Sequence, residues 1–315
     1  MKRKPTIAIC YDFDGTLSPG NMQEYGFFDG LDPKERKTFW AESEQMAKDN
    51  QADGILMYMR LMLRKAEQDK RLKTTRNAFR AYGKSIELYS GVDTWFDRID
   101  AYGKQRGVKI EHYIVSSGLR EMIEGTKISR NFAAIYACSF YYDNNDAAVW
   151  PAQAINYTTK TQFLFRINKG IKDVSDNTTI NQYVPPEDRP VPFTRMIYIG
   201  DGETDIPCMK LVKEQGGYSI AVFNPKRLSK KRMSEKLKRE DRVNFCIPAD
   251  YSVGSKLETM VETIIDKMAS DYRLQVEDKT PSKRFKAESN ADLNVAEMVA
   301  EVETGKLVGD EGCVS

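Results

Sequence analysis

The sequence predicts an α/β fold, in which a doubly wound parallel sheet carries a separate domain of helices inserted after its first strand. Three observations lead to this prediction. Apolar runs rich in β-forming residues alternate with amphipathic helical segments, as they do when parallel strands are joined by helices. Several of these runs end in acidic or hydroxyl side chains followed by glycine. A long block of helical pattern interrupts the alternation directly after the first run.

The first strand is predicted at residues 7–11, and it ends at a pair of aspartates, Asp12 and Asp14, which Gly15 and Thr16 follow. In an extended segment, residues i and i+2 point to the same side, so the two carboxylates can face one pocket. Two carboxylates this close repel each other unless a cation or a shared proton intervenes. Open α/β sheets bind their ligands at such strand ends. A polar turn at a strand end would explain the pair equally well if it stood alone.

The helical block that follows is predicted to form a small domain at residues 20–89. Asp32 suits the N-cap of its first helix, and Pro33 suits the first helical position. Two further helices are predicted over residues 55–64 and 71–82. The methionines of the block are expected to pack its interior.

The rest of the chain divides into a core and a tail. The core is predicted at residues 1–19 and 90–272, where strands and helices alternate. Its later strands are predicted over residues 108–115, 132–142, 196–200, 218–223 and 243–247. From residue 273 to residue 315 the composition turns polar, which predicts a partly disordered tail.

Polar side chains follow two of these later strands and precede one helix. Residues 116–118 read Ser-Ser-Gly, which suits an anion site at a helix start but also occurs in ordinary turns. Asp201 and Asp205 follow another strand. Lys160 precedes a predicted helix, and Lys169 ends it. Because the start of a helix disfavours a cation, a functional role would explain Lys160, although a solvated surface position would too.

The composition excludes several classes of function. The 315 residues include 48 basic and 46 acidic side chains, a net charge of +2, so no nucleic-acid partner is expected. No apolar run has the length of a membrane span, and the N-terminus lacks the apolar core of a signal peptide, so we expect a cytoplasmic protein without a membrane partner. A single histidine argues against a Ser-His-Asp triad or a multi-histidine metal site. Five cysteines without a CxxC pair favour free thiols, and nothing predicts the oligomeric state.

The strand ends and the lysine together supply four carboxylates, a hydroxyl and an ammonium group, from Asp12, Asp14, Asp201, Asp205, Ser116 and Lys160. Carboxylate oxygens with water molecules suit Mg²⁺. A hydroxyl and an ammonium group suit the oxygens of a phosphoryl group. A carboxylate can also act as a nucleophile and form an aspartyl-phosphate.

These residues resemble motifs I to IV of the haloacid dehalogenase (HAD) superfamily. The matching stretches are Asp12-Phe13-Asp14-Gly15-Thr16, Ser116, Lys160 and Gly200-Asp201-Gly202-Glu203-Thr204-Asp205. Their order and spacing are similar to those of members with a helical C1 cap between motifs I and II, over residues 7–268. The Ser-Ser-Gly of motif II resembles the Ser-Gly-Gly of the phosphoserine-phosphatase-like group. The resemblance implies a Rossmann-like core with a helical cap.

The resemblance also implies a role for each residue. Asp12 would attack phosphorus, and Asp14 would protonate the leaving oxygen and then activate water. Because family dehalogenases lack an aspartate at the second position, Asp14 favours phosphate transfer over dehalogenation. The phosphoryl oxygens would be held by Ser116, Ser117, Gly118 and Lys160, with Lys169 as the competitor for the lysine. The Mg²⁺ ligands would be Asp12, the backbone carbonyl of Asp14, and Asp201, with Asp205 as a ligand or a support.

The phosphoserine-phosphatase-like group holds its substrate with a cap glutamate and a cap arginine, for which Glu24, Arg60 and Arg64 are the candidates. Basic cap helices would suit a substrate with an extra carboxylate or phosphate. The implied function is a Mg²⁺-dependent phosphomonoesterase that hydrolyses a small phosphorylated metabolite through an aspartyl-phosphate. Two alternatives stay open: a phosphotransferase or mutase of the same fold, and a non-catalytic protein that binds Mg²⁺ and phosphate.

Overall fold

The centre of the molecule is a seven-stranded sheet, seen in a computed structural model that describes residues 4–278. The strands are β1 (Thr6–Tyr11), β2 (Lys109–Leu119), β3 (Phe132–Tyr142), β4 (Ala148–Gln153), β5 (Met196–Gly200), β6 (Tyr218–Phe223) and β7 (Phe245–Pro248). Their order across the sheet is β4-β3-β2-β1-β5-β6-β7. Neighbouring strands are parallel except β3 and β4, which are antiparallel.

Helices fill the connections between the strands. They are α1 (Pro33–Asn50), α2 (Gly54–Gln68), α3 (Arg76–Gly83), α4 (Val92–Gln105), α5 (Arg120–Glu124), α6 (Lys160–Lys169), α7 (Ile206–Glu214) and α8 (Leu228–Arg239). A further helix begins at residue 256. The chain divides after Met268 into two compact units, and the first contains the whole sheet. Residues 269–278, in the second unit, are helical.

The predicted doubly wound sheet is confirmed, and its topology explains where a site can form. β1 lies at the centre with residues 7–11 fully buried. The chain continues to β2 on one side of β1 and returns later to β5 on the other side. The carboxyl ends of these three parallel strands therefore meet at the point where the strand order reverses, which is the usual ligand site of such sheets.

Two elements differ from the prediction. β4 was not predicted, because it is a short edge strand that contains Pro151 and exposes two thirds of Trp150. β2 continues to Leu119, so residues 116–118 lie in the strand rather than after it. A register shift against β3 occurs between Val115 and Leu119. The helix that follows, α5, has only five residues.

The first long helix after β1, α1, has the predicted N-cap residue, Asp32. The Asp32 side chain accepts from the N–H groups of Lys34 and Glu35, both at 2.8 Å, in a capping box with Pro33 at the first helical position. The third helix begins at Arg76 rather than at residue 71, since Thr75 caps it.

The domain boundaries of the sequence analysis stay a prediction. Helices α1 to α3 belong to the same compact unit as the sheet. Gly83 shows how closely α3 approaches α5, because a Cβ there would lie 2.0 Å from the Met122 carbonyl oxygen in α5. Of the predicted tail at residues 273–315, residues 279–315 lie outside the described part of the chain.

Candidate active site

The turn after β1 positions the first acidic residue. Asp12 is buried, and its Oδ1 accepts the N–H of Phe13 at 2.8 Å. The Phe13 side chain is itself fully buried. Gly15 has a φ of +76°, and a Cβ there would lie 2.3 Å from the carboxyl carbon of Asp201. Only glycine allows this turn and this close approach, which brings the ends of β1 and β5 together.

Asp14 faces the same cavity but makes different contacts. Its Oδ1 accepts the N–H of Met22 at 2.9 Å, so it is hydrogen-bonded to the segment that leads into the helices. Burial first, and then the nearby Asp12 carboxylate, raises the pKa of Asp14 well above its ordinary value. A raised pKa favours the protonated form of the carboxyl group, which is the form that can donate a proton.

The end of β5 supplies two further carboxylates in different settings. Asp205 is fully buried, and its Oδ1 accepts from Lys160 Nζ at 2.7 Å and from the Tyr198 hydroxyl at 2.8 Å. Its Oδ2 accepts the Gly202 N–H at 3.1 Å. Asp201 is nearer the surface of the cavity, with Lys230 Nζ 2.9 Å from its Oδ2. Asp205 is therefore held on both oxygens, whereas Asp201 faces the cavity.

The lysine at the start of α6 lies inside this cluster. Lys160 is fully buried, and its Nζ is 3.2 Å from Asp12 Oδ1 and 2.7 Å from Asp205 Oδ1. Its predicted competitor, Lys169, lies at the other end of the helix and donates to the carbonyl oxygens of Ile180 and Gln182, at 2.6 and 2.7 Å. The structure thus brings Lys160, and not Lys169, to the strand ends.

Three of the predicted metal residues form a tight group. Oxygen atoms of Asp12, Asp201 and Asp205 lie within 4.8 Å of one another. Burial and the Asp205 carboxylate raise the pKa of Asp12 to about 7, and burial also raises the pKa of Asp201. Buried, mutually repelling carboxylates with hard oxygen donors fit a divalent cation such as Mg²⁺. The Asp14 carboxylate is not part of the group.

The end of β2 supplies the hydroxyl groups. Ser116 is buried, and its Oγ accepts the Gly118 N–H at 3.1 Å. Ser117 Oγ is buried with no hydrogen-bond partner among the described residues. The carbonyl of Ser117 accepts the hydroxyl of Tyr58 at 2.8 Å, which connects α2 to this strand end. The predicted phosphate-binding stretch therefore lies beside Asp12 and Asp14 in the same cavity.

A cavity of about 380 Å³ joins these groups. Its lining includes residues from the core, namely Asp12, Asp14, Ser116, Ser117, Gly118, Asp201, Glu203, Thr204, Asn224, Arg227 and Lys230, and residues from the linking and helical segments, namely Gln23, Glu24, Trp40, Ile55, Tyr58 and Tyr89. Of the three predicted substrate residues, only Glu24 is in the lining.

The two predicted cap arginines have other partners. Arg60 forms an ion pair with Glu67 at 3.1 Å, and Arg64 pairs with Glu42. Neither belongs to the cavity lining. The structure therefore does not bring the basic residues of the cap to the strand ends.

Sequence reasoning missed residues on both sides of the cluster. Tyr198 supports Asp205 from within β5, and the signal was a tyrosine inside a fully buried aliphatic strand, where its hydroxyl needs a partner. Arg227 and Lys230 line the cavity from the start of α8. No sequence signal separates them from the other basic residues of that helix.

The fold and the group of buried carboxylates define an α/β protein with a phosphate- and metal-compatible site at the strand switch point. Residues 9–210 match the haloacid dehalogenase-like hydrolase family, and the chain belongs to that family. The predicted resemblance is thereby confirmed, and the protein is a HAD-like hydrolase. Within residues 4–278, no helix is both long and apolar enough to cross a membrane.

Individual proteins are similar to this chain in sequence or in fold. An uncharacterized protein of Borreliella burgdorferi is 27% identical over 282 residues, covering 81% of this chain and 95% of the relative. A HAD family hydrolase from Salmonella enterica serovar Typhi superposes with a TM-score of 0.50 at 18% identity, over 78% of this chain and 69% of its own. A probable phosphoserine phosphatase from Vibrio cholerae superposes with a TM-score of 0.53 at 13% identity. The match covers 85% of this chain and 67% of that chain. These structural likenesses concern the fold.

Proposed function

We propose that the protein is a Mg²⁺-dependent phosphomonoesterase, which hydrolyses a small phosphorylated metabolite through an aspartyl-phosphate on Asp12. The observation that carries the proposal is the position of Asp12, which lies at the end of the central strand with an ammonium group 3.2 Å from its Oδ1. A second carboxyl group with a raised pKa, on Asp14, faces the same cavity. A nucleophile and an acid thus share one pocket.

Asp12 would act as the nucleophile. One of its carboxylate oxygens attacks phosphorus, a P–O bond forms to Asp12, and the P–O bond to the ester oxygen breaks. Lys160 would hold Asp12 in place and balance the negative charge around it, since its ammonium group also contacts Asp205. Ser116, Ser117 and Lys160 would bind the phosphoryl oxygens, with the Gly118 backbone beside them.

Asp14 would handle the proton. Its carboxyl group donates a proton to the leaving alcohol oxygen in the first step. In the second step the resulting carboxylate takes a proton from water, whose oxygen attacks phosphorus and displaces Asp12 as a free carboxylate. The hydrogen bond from Met22 N–H fixes Asp14 on the side of the cavity that faces the helical segment.

The metal would be held by Asp12, Asp201 and the backbone carbonyl of Asp14, with Asp205 as support because both of its oxygens already accept hydrogen bonds. When bound, Mg²⁺ would offset the repulsion among the carboxylates and neutralise charge on the phosphoryl oxygens. The cavity of about 380 Å³ suits a small metabolite. The described cysteines are free thiols, which agrees with the proposed cytoplasmic location.

Phosphate release from a panel of phosphomonoesters, with Mg²⁺ and with EDTA, would test the proposal. We expect Mg²⁺-dependent release by the wild type and a loss of at least about a thousandfold in Asp12→Asn, which keeps the shape of the side chain but removes the nucleophile. Asp188→Asn is the matched control, since Asp188 is exposed and outside the cavity. Acid quenching of an ester labelled at phosphorus should trap label on the wild-type and Asp188→Asn proteins but not on Asp12→Asn.

Three results would contradict the proposal. Full activity in Asp12→Asn would place the nucleophile elsewhere. Transfer of the phosphoryl group to a sugar rather than to water would favour the phosphotransferase or mutase. Folded, metal-loaded protein that binds phosphate but turns over no ester would favour the non-catalytic protein.

A further inference from the structure

One side of the cavity carries positive charge that the proposed chemistry does not use. We call this side the α8 wall, and it consists of Tyr89, Asn224, Arg227 and Lys230, all of which line the cavity. Arg227 is the residue that immediately precedes α8, and Lys230 lies in the first turn of this helix. The wall adjoins the carboxylate cluster, since Lys230 Nζ is 2.9 Å from Asp201 Oδ2.

Arg227 differs from Lys160 and Lys230 in having no acidic partner among the described residues. Lys160 contacts Asp12 and Asp205, and Lys230 contacts Asp201. Among the described residues, the structure shows no ion pair or side-chain hydrogen bond for the Arg227 guanidinium, although it is near enough to Tyr89 to affect that hydroxyl electrostatically. Its five N–H donors are therefore available to a ligand in the cavity.

The part of the cavity lining that comes from the helical segment and the residues leading into it contains no cation. This lining carries one acidic residue and otherwise neutral ones, namely Asn21, Gln23, Glu24, Trp40, Ile55 and Tyr58. Glu24 accepts from Trp40 Nε1 at 3.1 Å. A ligand anion would therefore meet a carboxylate and no positive charge there, whereas the α8 wall presents a guanidinium and an ammonium group, and the ammonium group is 2.9 Å from Asp201 Oδ2.

We propose that the substrate is a phosphomonoester with a second anionic group, a carboxylate or a second phosphate, and that Arg227 recognises this group. The inference rests on the proposed function and names its substrate class. A planar guanidinium binds either anion through two parallel hydrogen bonds. Lys230 adds positive charge beside it, and the pair offsets the negative charge of the carboxylates as an anionic ligand enters.

Three esters of one three-carbon skeleton test this inference: glycerol 3-phosphate, 3-phosphoglycerate and glycerol 1,3-bisphosphate. They differ at the far end of the molecule, which is neutral, a carboxylate or a phosphate. We expect the wild type to have a higher kcat/KM for at least one of the two charged esters than for glycerol 3-phosphate. In Arg227→Gln the preference should fall about tenfold, the value of one charged hydrogen bond.

The neighbouring residue supplies the control. Lys226 is exposed and outside the cavity lining, so Lys226→Gln removes the same charge from the adjacent position and should keep the wild-type preference. Arg227→Lys should keep part of it. A preference for 3-phosphoglycerate would identify the second anionic group as a carboxylate, and a preference for glycerol 1,3-bisphosphate would identify it as a phosphate.

Binding separates failure of this inference from failure of the proposed function. Calorimetry of the three esters with Asp12→Asn protein in Mg²⁺ measures recognition without turnover. Tighter binding of a charged ester that is lost in the Asp12→Asn, Arg227→Gln double variant would support the α8 wall even if the wild type hydrolysed nothing. Turnover of all three esters at equal kcat/KM, or a preference that Arg227→Gln leaves unchanged, would overturn the inference while the phosphatase proposal stands.

Discussion

Two lysines contact the carboxylate cluster, one of them buried and the other partly exposed. Lys160, at the start of α6, is fully buried and pairs with two carboxylates. Lys230, at the start of α8, has 39% of its side chain exposed and pairs with Asp201 alone. Although burial opposes its charge, the Asp12 and Asp205 carboxylates together raise the pKa of Lys160 above its ordinary value.

The difference in burial indicates that one lysine is needed for the stability of the fold and that the other can exchange its partner in the cavity. A buried ammonium group has no water to replace its partners, so removing it leaves carboxylates buried without compensation. An exposed ammonium group can exchange its carboxylate for water, for a ligand or for a competing cation at small cost. Lys160 should therefore be fixed, and Lys230 should be replaceable.

The largest effect is expected for Lys160→Met, which keeps a long buried side chain but removes the charge. We expect the free energy of unfolding to fall by about 3–5 kcal/mol, as for other buried pairs that lose one partner. Urea unfolding followed by tryptophan fluorescence would measure it. Lys169→Met is the control within the same helix, because Lys169 bonds backbone carbonyls outside the cluster. An equal loss of unfolding free energy in the two variants would show that the buried ion pairs of Lys160 contribute no special stability.

A bound divalent cation should have the next largest effect. If Asp12 and Asp201 hold Mg²⁺, the metal stabilises the folded state by about 2.7 kcal/mol at a hundred times its dissociation constant. A thermal melt with and without Mg²⁺ would show the shift, and Asp201→Asn should abolish most of it. Asp188→Asn should keep the full shift. A shift that survives in Asp201→Asn would place the metal elsewhere.

Local sequence pattern predicted most of the strands and the carboxylates of the site. β3, β5 and β6 match the predicted strands at 132–142, 196–200 and 218–223, because continuous buried runs have clear ends. Asp12 and Asp201 were expected to meet, since parallel strands bring their carboxyl ends to one edge of a sheet, and the structure places them together.

The basic residues of the cavity could not be predicted in this way, because their positions depend on tertiary contacts that a local sequence pattern does not contain. Arg227 and Lys230 lie on a basic helix whose composition is typical of a solvated face. They reach the cavity because β6 pairs with β5, which places the start of α8 beside Asp201. The cap arginines were expected at the site, yet Arg60 and Arg64 have glutamate partners within the helical segment. The partners of a long charged side chain are set by packing.

The smallest effect is expected for Lys230→Met, and it tests the comparison most directly. Because the ammonium group is partly exposed, its loss should change the free energy of unfolding by less than about 1 kcal/mol. Mg²⁺ should bind at least as tightly as in the wild type, since the lysine no longer competes for Asp201 Oδ2. Calorimetric titration of Mg²⁺ into both proteins would measure this. A large loss of stability together with weaker Mg²⁺ binding would mean that Lys230, like Lys160, is a fixed part of the cluster.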